Sequence, residues 1–335
     1  TCRLQAFSAV SSRASWRLQM AHTADCRDDG DVWRQSVFCK PDVLQPELRP
    51  MFWLRWSSNE TSTTRAPDSN LDATACIQST SVAAADIDRA LERRKLSPQM
   101  HTAVRRVLIL YANRREEVGY CHGMSDVALE ICKLCASDAQ NGHASFCFTV
   151  LMDGHGGDAE GISRAGLARL YMPGFELVLL LRTALRAALE ATRPALLEQL
   201  CRFKQDSFEW TQVWWQRLFL NGLLEEDVRI RIWDCLFAAA ESDATSTFQK
   251  RVRILVAGAT LLLDGVTTLV MEARSEETLL VLFSRLTKHG YAAVGASSES
   301  SASRVEELLF NYANPMATQA VQKTLDQGLV EDFQE

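Results

Sequence analysis

Apolar residues recur along this chain at intervals of three and four, which is the spacing of one face of an α-helix. Met100, Val104, Val107, Leu108 and Tyr111 form one such face. Ser97-Pro98 just before them reads as a helix start, a capping side chain followed by proline at the first helical position. After a turn through Gly123, Val127, Ile131, Leu134 and Cys135 repeat the pattern. Further stripes run through Cys147, Val150 and Leu151, then Val178, Leu181, Leu185 and Leu189, then Trp210, Val213 and Trp214. Glu225, Glu226 and Asp227 put acids where the dipole of the next helix favours them, ahead of Val228, Ile232, Cys235 and Leu236. Val252, Leu255, Val256, Ala259 and Leu262 follow, and Leu279, Leu282, Phe283 and Leu286 close the series. No stretch sustains the period-two alternation of a half-buried strand. The predicted fold class is all-α, with many helices.

Three stretches break the pattern. Residues 57–73 are rich in Ser, Thr and Asn and read as an exposed insertion. Residues 153–166 contain five glycines and read as a flexible loop, and residues 295–303 as a serine-rich linker ahead of one or two terminal helices within 305–330. The nearly uncharged run 254–271 is interrupted by Asp264, and a carboxylate at the centre of a membrane span costs about 2.5–3.5 kcal/mol. A buried helix pair turning near Asp264-Gly265 is expected there instead, and no membrane span.

Composition narrows the class. The chain has 335 residues, 47% of them hydrophobic and 23% charged, enough for a sizeable core. A net charge of −6 gives no reason to expect nucleic acid or an anionic membrane as the main partner. One basic stretch stands out: Arg89, Arg93, Arg94, Lys95, Arg105, Arg106, Arg114 and Arg115 accompany the single acid Glu92. It reads either as a solvated helix face or as a patch steering an anionic surface or nucleotide. The ten cysteines are scattered, and Cys132, Cys147, Cys201 and Cys235 lie in apolar runs, as reduced core thiols do. A cytoplasmic setting is expected. Before Asp25 the chain carries Arg3, Arg13, Arg17 and several serines but no acid, which fits a transit-like leader or a fragment edge equally.

The chemistry concentrates in two segments. The first is Ala83-x-x-Asp86-x-x-Arg89, and the second, about thirty residues on, is Gly119-Tyr120-Cys121-His122-Gly123-Met124-Ser125-Asp126. Together they resemble the paired catalytic loops of the TBC domain, the Rab GTPase-activating module, whose patterns are IxxDxxR and YxQ. Other motifs fall in the family's order: Arg49 followed by Trp53, then 144–152, then Trp214-Trp215-x-x-Leu218-Phe219, then Arg229-Ile230-Arg231-Ile232-Trp233-Asp234. The resemblance covers roughly residues 44–288. It implies a leader at 1–43, a TBC domain at 44–290, and a linker with a helical tail at 291–335.

What the resemblance implies chemically is a GTPase activator rather than an enzyme with its own substrate. Arg89 would be the arginine finger, neutralising charge on the transferring phosphoryl group of a Rab-family GTPase, an effect worth about 10³–10⁵ in rate. Asp86 would orient Arg89. Gly119, Tyr120, Cys121, Gly123, Met124 and Asp126 would shape the loop that meets the partner, with the glycines allowing close approach. No cofactor belongs to the chain itself, because GTP and magnesium are the partner's. Association with endomembranes would be peripheral.

Three positions depart from the family pattern. Alanine stands at 83 for isoleucine, and Ala90 follows Arg89 where threonine is usual. His122 takes the place of the glutamine that positions water. Glutamine carries donor and acceptor on adjacent atoms, whereas a neutral imidazole has them on different sides of a ring. Reduced activation through the retained arginine is one reading. A GTPase-binding scaffold without activity is another, and a histidine with no partner contact a third.

Two further motifs carry rival chemistry. Asp153-Gly154-His155-Gly156-Gly157 reproduces a signature of metal-dependent Ser/Thr phosphatases, which need several carboxylates around two cations. A Gly-rich loop between helices accounts for it better. Cys132-x-x-Cys135 with His143 and Cys147 has the residue types of a zinc site, but both cysteines of the pair sit on a predicted amphipathic helix. Core packing is the expected role.

Overall fold

The computed structural model describes residues 49, 53, 82–135, 142–154, 162–163, 165–220, 222–239, 244–294, 319 and 321–323. The expected leader, the insertion at 57–73, the linker at 295–303 and most of the tail lie outside them. The described residues form ten α-helices, two short 3₁₀ turns and no strand. These are α1 (Val82–Glu92), α2 (Pro98–Arg114), α3 (Met124–Leu134), α4 (His143–Asp153), α5 (Glu176–Thr192), α6 (Pro194–Arg202), α7 (Thr211–Gln216), α8 (Glu226–Ala238), α9 (Ala244–Glu272) and α10 (Glu276–His289).

Helix α2 begins where Ser97-Pro98 predicts, with Ser97 Oγ accepting from the Met100 amide at 3.2 Å. Its buried face carries Val104, Val107, Leu108 and Tyr111, and packs on α1, α3 and α4. Helix α10 starts the same way, Ser275 Oγ accepting from the Thr278 amide at 3.2 Å. Helix α8 is buried along its whole length from Val228 to Ala238, so it lacks the polar stripe of a surface helix.

Residues 254–271 do not fold as a helix pair. They belong to one uninterrupted helix, α9, which packs against α5, α6, α7 and α8. It is long and apolar enough to cross a membrane, yet two-thirds of its most apolar window (67%) is buried inside the protein. Asp264 is tolerated because Arg193 forks onto it with two bonds of 2.9 Å. Gly265 is there for contact rather than for turning. A Cβ at that position would lie 2.4 Å from the Tyr291 hydroxyl, which donates to the Leu262 carbonyl.

Side chains far apart in sequence close the core. Asp234 of α8 accepts from Arg49 Nε at 3.1 Å and Trp53 Nε1 at 2.9 Å, joining the early motif to the late one. Burial pushes the Asp234 carboxyl up, and Arg49 and Trp53 oppose that shift. Trp53 also stacks on Phe237 with ring centroids 4.4 Å apart. Trp214, Trp215 and Trp233 are buried likewise, and Trp210 stacks on Phe283 at 3.9 Å, so these tryptophans are core anchors. Arg251 of α9 is 1% exposed and donates to the carbonyls of Ala165 (2.7 Å), Leu236 (3.3 Å) and Leu151 (3.4 Å). Two of these carbonyls end α8 and α4, where the helix dipole favours a cation.

Candidate functional site

Helix α1 buries Ala84, Ile87 and Leu91 and thereby turns Asp86 and Arg89 outward. The Arg89 side chain is 67% exposed, and its Nη2 is ion-paired with Asp86 one turn back. The neighbouring Asp88 faces α2 instead, where Arg105 grips it with bonds of 2.6 and 3.2 Å. That fork fixes the rotation of α1 and so the direction in which Arg89 leaves the helix.

Just past α1 the chain turns back, and Arg94 reaches the second segment. Its Nη2 lies 2.7 Å from Asp126 Oδ1 and 3.1 Å from Ser125 Oγ. Asp126 and Ser125 sit in the first turn of α3, Asp126 at only 6% exposure. One charge-assisted clasp therefore holds the end of α1 against the loop 119–123. The sequence shows Arg94 only as one of a run of basic residues.

The loop itself is shaped from both sides. Gly123 has φ +103°, and a Cβ there would come within 2.7 Å of the Gln216 carbonyl oxygen, so the close approach to α7 requires glycine. Gln216 is held in turn: its carbonyl accepts from Tyr171 Oη at 2.5 Å, and its Nε2 donates to the Leu170 carbonyl at 3.0 Å. Tyr120 Oη donates to Ser125 Oγ at 3.2 Å, and the Cys121 amide meets Met124 Sδ at 3.2 Å. Met124 is 1% exposed and anchors the loop to the core. Burial pushes the Cys121 thiol up, against a smaller opposing bond from the His122 amide, which disfavours the thiolate. Burial likewise raises the Tyr120 hydroxyl, while Ser125 and Arg94 oppose it.

His122 is exposed at the loop tip, and its Nε2 is 3.3 Å from Nη2 of Arg217. Arg217 also places Nε 3.5 Å from Asp126 Oδ2. No local signal in the sequence marks this residue. Of the nine residues expected at the site, Arg89 and His122 are exposed, Asp86, Gly119, Tyr120 and Cys121 are partly exposed, and Gly123, Met124 and Asp126 are buried. The last three shape the loop from within. Beside it, a cleft of about 330 Å³ opens between α3 and α8, lined among others by Arg94, Asp126, Glu130, Lys133 and Arg229. Glu130 is bonded there by Arg229 at 2.7 Å and Lys133 at 3.3 Å.

The basic stretch divides. Arg89, Arg94, Arg105 and Arg115 are paired with Asp86, Asp126, Asp88 and Asp153. Arg93 and Lys95 are exposed beside the clasp. Asp153, which opens the phosphatase-like motif, is 2% exposed and points inward. It accepts from Arg115 Nε and Tyr111 Oη, each at 2.9 Å, and a carboxylate so committed is not offered to a cation. His155, Gly156 and Gly157 lie outside the described residues. Cys132, Cys135 and Cys147 are buried where α3 meets α4. Burial pushes the Cys132 thiol up to about 12, which keeps it protonated. Among the described residues no three His, Cys, Asp or Glu side chains converge as a metal set.

The family model of the Rab-GTPase-TBC domain matches residues 31–258. Over 146 residues the chain is 28% identical to GTPase-activating protein gyp2 of Schizosaccharomyces pombe, a match covering 42% of this chain and 17% of that protein. The crystal structure of the Ypt/Rab-GAP domain of Gyp1p superposes with a TM-score of 0.63 at 13% identity, covering 88% of this chain and 96% of that one. The Chlamydomonas flagellar RabGAP TBC domain gives 0.62 at 17% identity, with 90% and 92% covered. At such identities the structural likeness speaks for the fold, and the family match speaks for descent. The chain belongs to the Rab-GTPase-TBC domain family.

Proposed function

We propose that this chain activates GTP hydrolysis by a Rab-type small GTPase, with Arg89 entering the partner's nucleotide site. The observation that carries the reading is the clasp. An exposed arginine at the end of α1 and an exposed loop tip bearing His122 are fastened to one another through Arg94 and Asp126. A guanidinium inserted from outside neutralises charge on the phosphoryl oxygens, and that stabilisation is the larger part of such catalysis. The partial match to gyp2, itself described as a GTPase-activating protein, points the same way. The GTPase is the enzyme and supplies GTP and magnesium. The chain would work in the cytoplasm, meeting its partner at endomembranes.

Single-turnover GTP hydrolysis across a panel of Rab proteins tests this. Stimulation by the wild-type chain should fall about 10³-fold or more in Arg89→Ala. Equal stimulation by that variant would sink the role of Arg89. The exposed Arg89–Asp86 pair contributes little to stability, so the variant should remain folded. A second reading, a scaffold that binds the GTPase without activating it, is favoured by histidine in place of glutamine at 122. An inert wild type that gains activity in His122→Gln would favour the scaffold.

A further inference from the structure

We propose that Arg217 is a positioning residue that holds His122 as its Nδ1–H tautomer, so that His122 presents a donor and the acceptor for the attacking water comes from the GTPase's own glutamine. The second half of this rests on the activator reading above; the first half does not.

A guanidinium has five N–H donors and no acceptor. The 3.3 Å contact between Arg217 Nη2 and His122 Nε2 is therefore a hydrogen bond only if Nε2 carries a lone pair. The Nε2–H form would set two N–H groups against one another. In the neutral ring the remaining proton then lies on Nδ1, which has no hydrogen-bond partner among the described residues and belongs to an exposed side chain.

Of the two side chains, Arg217 is the fixed one. Its side chain is 19% exposed and its Nε faces Asp126, which Arg94 also grips. Its backbone leads into Leu218 and Phe219, both buried and both at positive φ (+45° and +62°). Such a conformation persists only where the surroundings enforce it. Here the Phe219 ring lies where a Cβ on Gly258 would be, 2.6 Å away, and the Leu218 carbonyl accepts from Trp233 Nε1 at 3.0 Å. A guanidinium held in place by Asp126 and a buried turn thus selects the tautomer of an exposed imidazole.

The chemical consequence follows. A glutamine amide in this place keeps a carbonyl oxygen able to accept a proton of the attacking water. His122 with Nε2 occupied has no free lone pair. Its Nδ1–H suits an anionic phosphate oxygen or a backbone carbonyl, and the Arg217 charge behind the ring favours the anion. The loop would then add to the charge stabilisation begun by Arg89 and leave the water to the GTPase's own glutamine, which performs that task in small GTPases acting without such help.

Two measurements test this. In the first, the chain is labelled with ¹⁵N-histidine and long-range ¹H–¹⁵N spectra are recorded at about pH 8, above the ordinary imidazole range. The chain has six histidines, and the His122 signals are those lost in His122→Gln. The expected pattern is a protonated Nδ1 and a bare Nε2, shifting toward the Nε2–H form in Arg217→Leu. A wild-type His122 with its proton on Nε2 overturns the assignment, whatever the activity. In the second, hydrolysis is measured with a responsive GTPase and with the same GTPase carrying leucine for its own catalytic glutamine. Stimulation should drop about 10²-fold or more in the second case, and recover in part with the His122→Gln chain. Undiminished stimulation would show that His122 holds the water itself. If no GTPase responds to any form of the chain, the activator reading fails, and the tautomer still stands or falls on the spectra.

Discussion

Replacing Asp126 by asparagine probes the contact that joins the two functional segments. Asn keeps the size of the side chain and removes its charge. The Asp126 side chain is 5% exposed, with Oδ1 at 2.7 Å from Arg94 and Oδ2 at 3.5 Å from Arg217. The shorter contact is a charge-assisted hydrogen bond, of a kind worth about 1.5–3 kcal/mol. The longer one acts mainly through charge. Breaking a fully buried pair costs about 3–5 kcal/mol, and an exposed one about 0–1 kcal/mol. The Arg94 and Arg217 side chains are 23% and 19% exposed, so water recovers part of their solvation. The expected loss is therefore about 2–3 kcal/mol. Urea unfolding followed by tryptophan fluorescence would measure it, with an unchanged denaturant slope showing that the unfolded state is unaffected. A double-mutant cycle with Arg94→Met should give a coupling of about 1.5–3 kcal/mol. Coupling below about 0.5 kcal/mol would mean that water dissolves the pair and that the clasp holds nothing. With a responsive GTPase, Asp126→Asn should also lower stimulation about 10²-fold, the scale of a misplacement near 1 Å.

Asp153→Ala should cost about 3–5 kcal/mol, because it strands Arg115 and the Tyr111 hydroxyl in the core; a urea midpoint shift equivalent to less than about 1 kcal/mol would refute that account. Gly123→Ala should cost about 1–3 kcal/mol through the positive φ and the clash with the Gln216 carbonyl, and a neutral effect on thermal unfolding would show that the loop simply moves aside. Stability should also fall at alkaline pH. Burial raises the Cys132 and Cys235 thiols to about 12 in the folded chain, whereas an unfolded thiol titrates at about 8.5. Their contribution is thus complete below about pH 8.5 and declines as pH rises toward 12, by up to about 1.4 kcal/mol per pH unit for each thiol. Identical urea midpoints at about pH 8 and pH 10 would contradict it.

Most of the helices, several of their starts and the order of the family's motifs could be read from local pattern alone. Helix periodicity and capping are short-range: Val104, Val107, Leu108 and Tyr111 share a face at any place in any fold, and Ser97 caps α2 with an amide three residues away. The same locality limits what such patterns can say about polar residues. Asp264-Gly265 has the composition of a turn, yet α9 runs on through it, with Arg193 paired to Asp264 and Tyr291 packed on Gly265 from other elements. Asp153 looks like a metal ligand in its pentapeptide and becomes a core acceptor once Tyr111 and Arg115 pack against it. Arg94 is one basic residue among eight until α3 presents Asp126 to it. His122 could be recognised as a departure from the family pattern, but the group that fixes its ring lies 95 residues away on a strained turn. An apolar residue's fate follows from which face it occupies. A charged or hydrogen-bonding residue's role depends on which partner the fold delivers, and that choice is made by the tertiary structure.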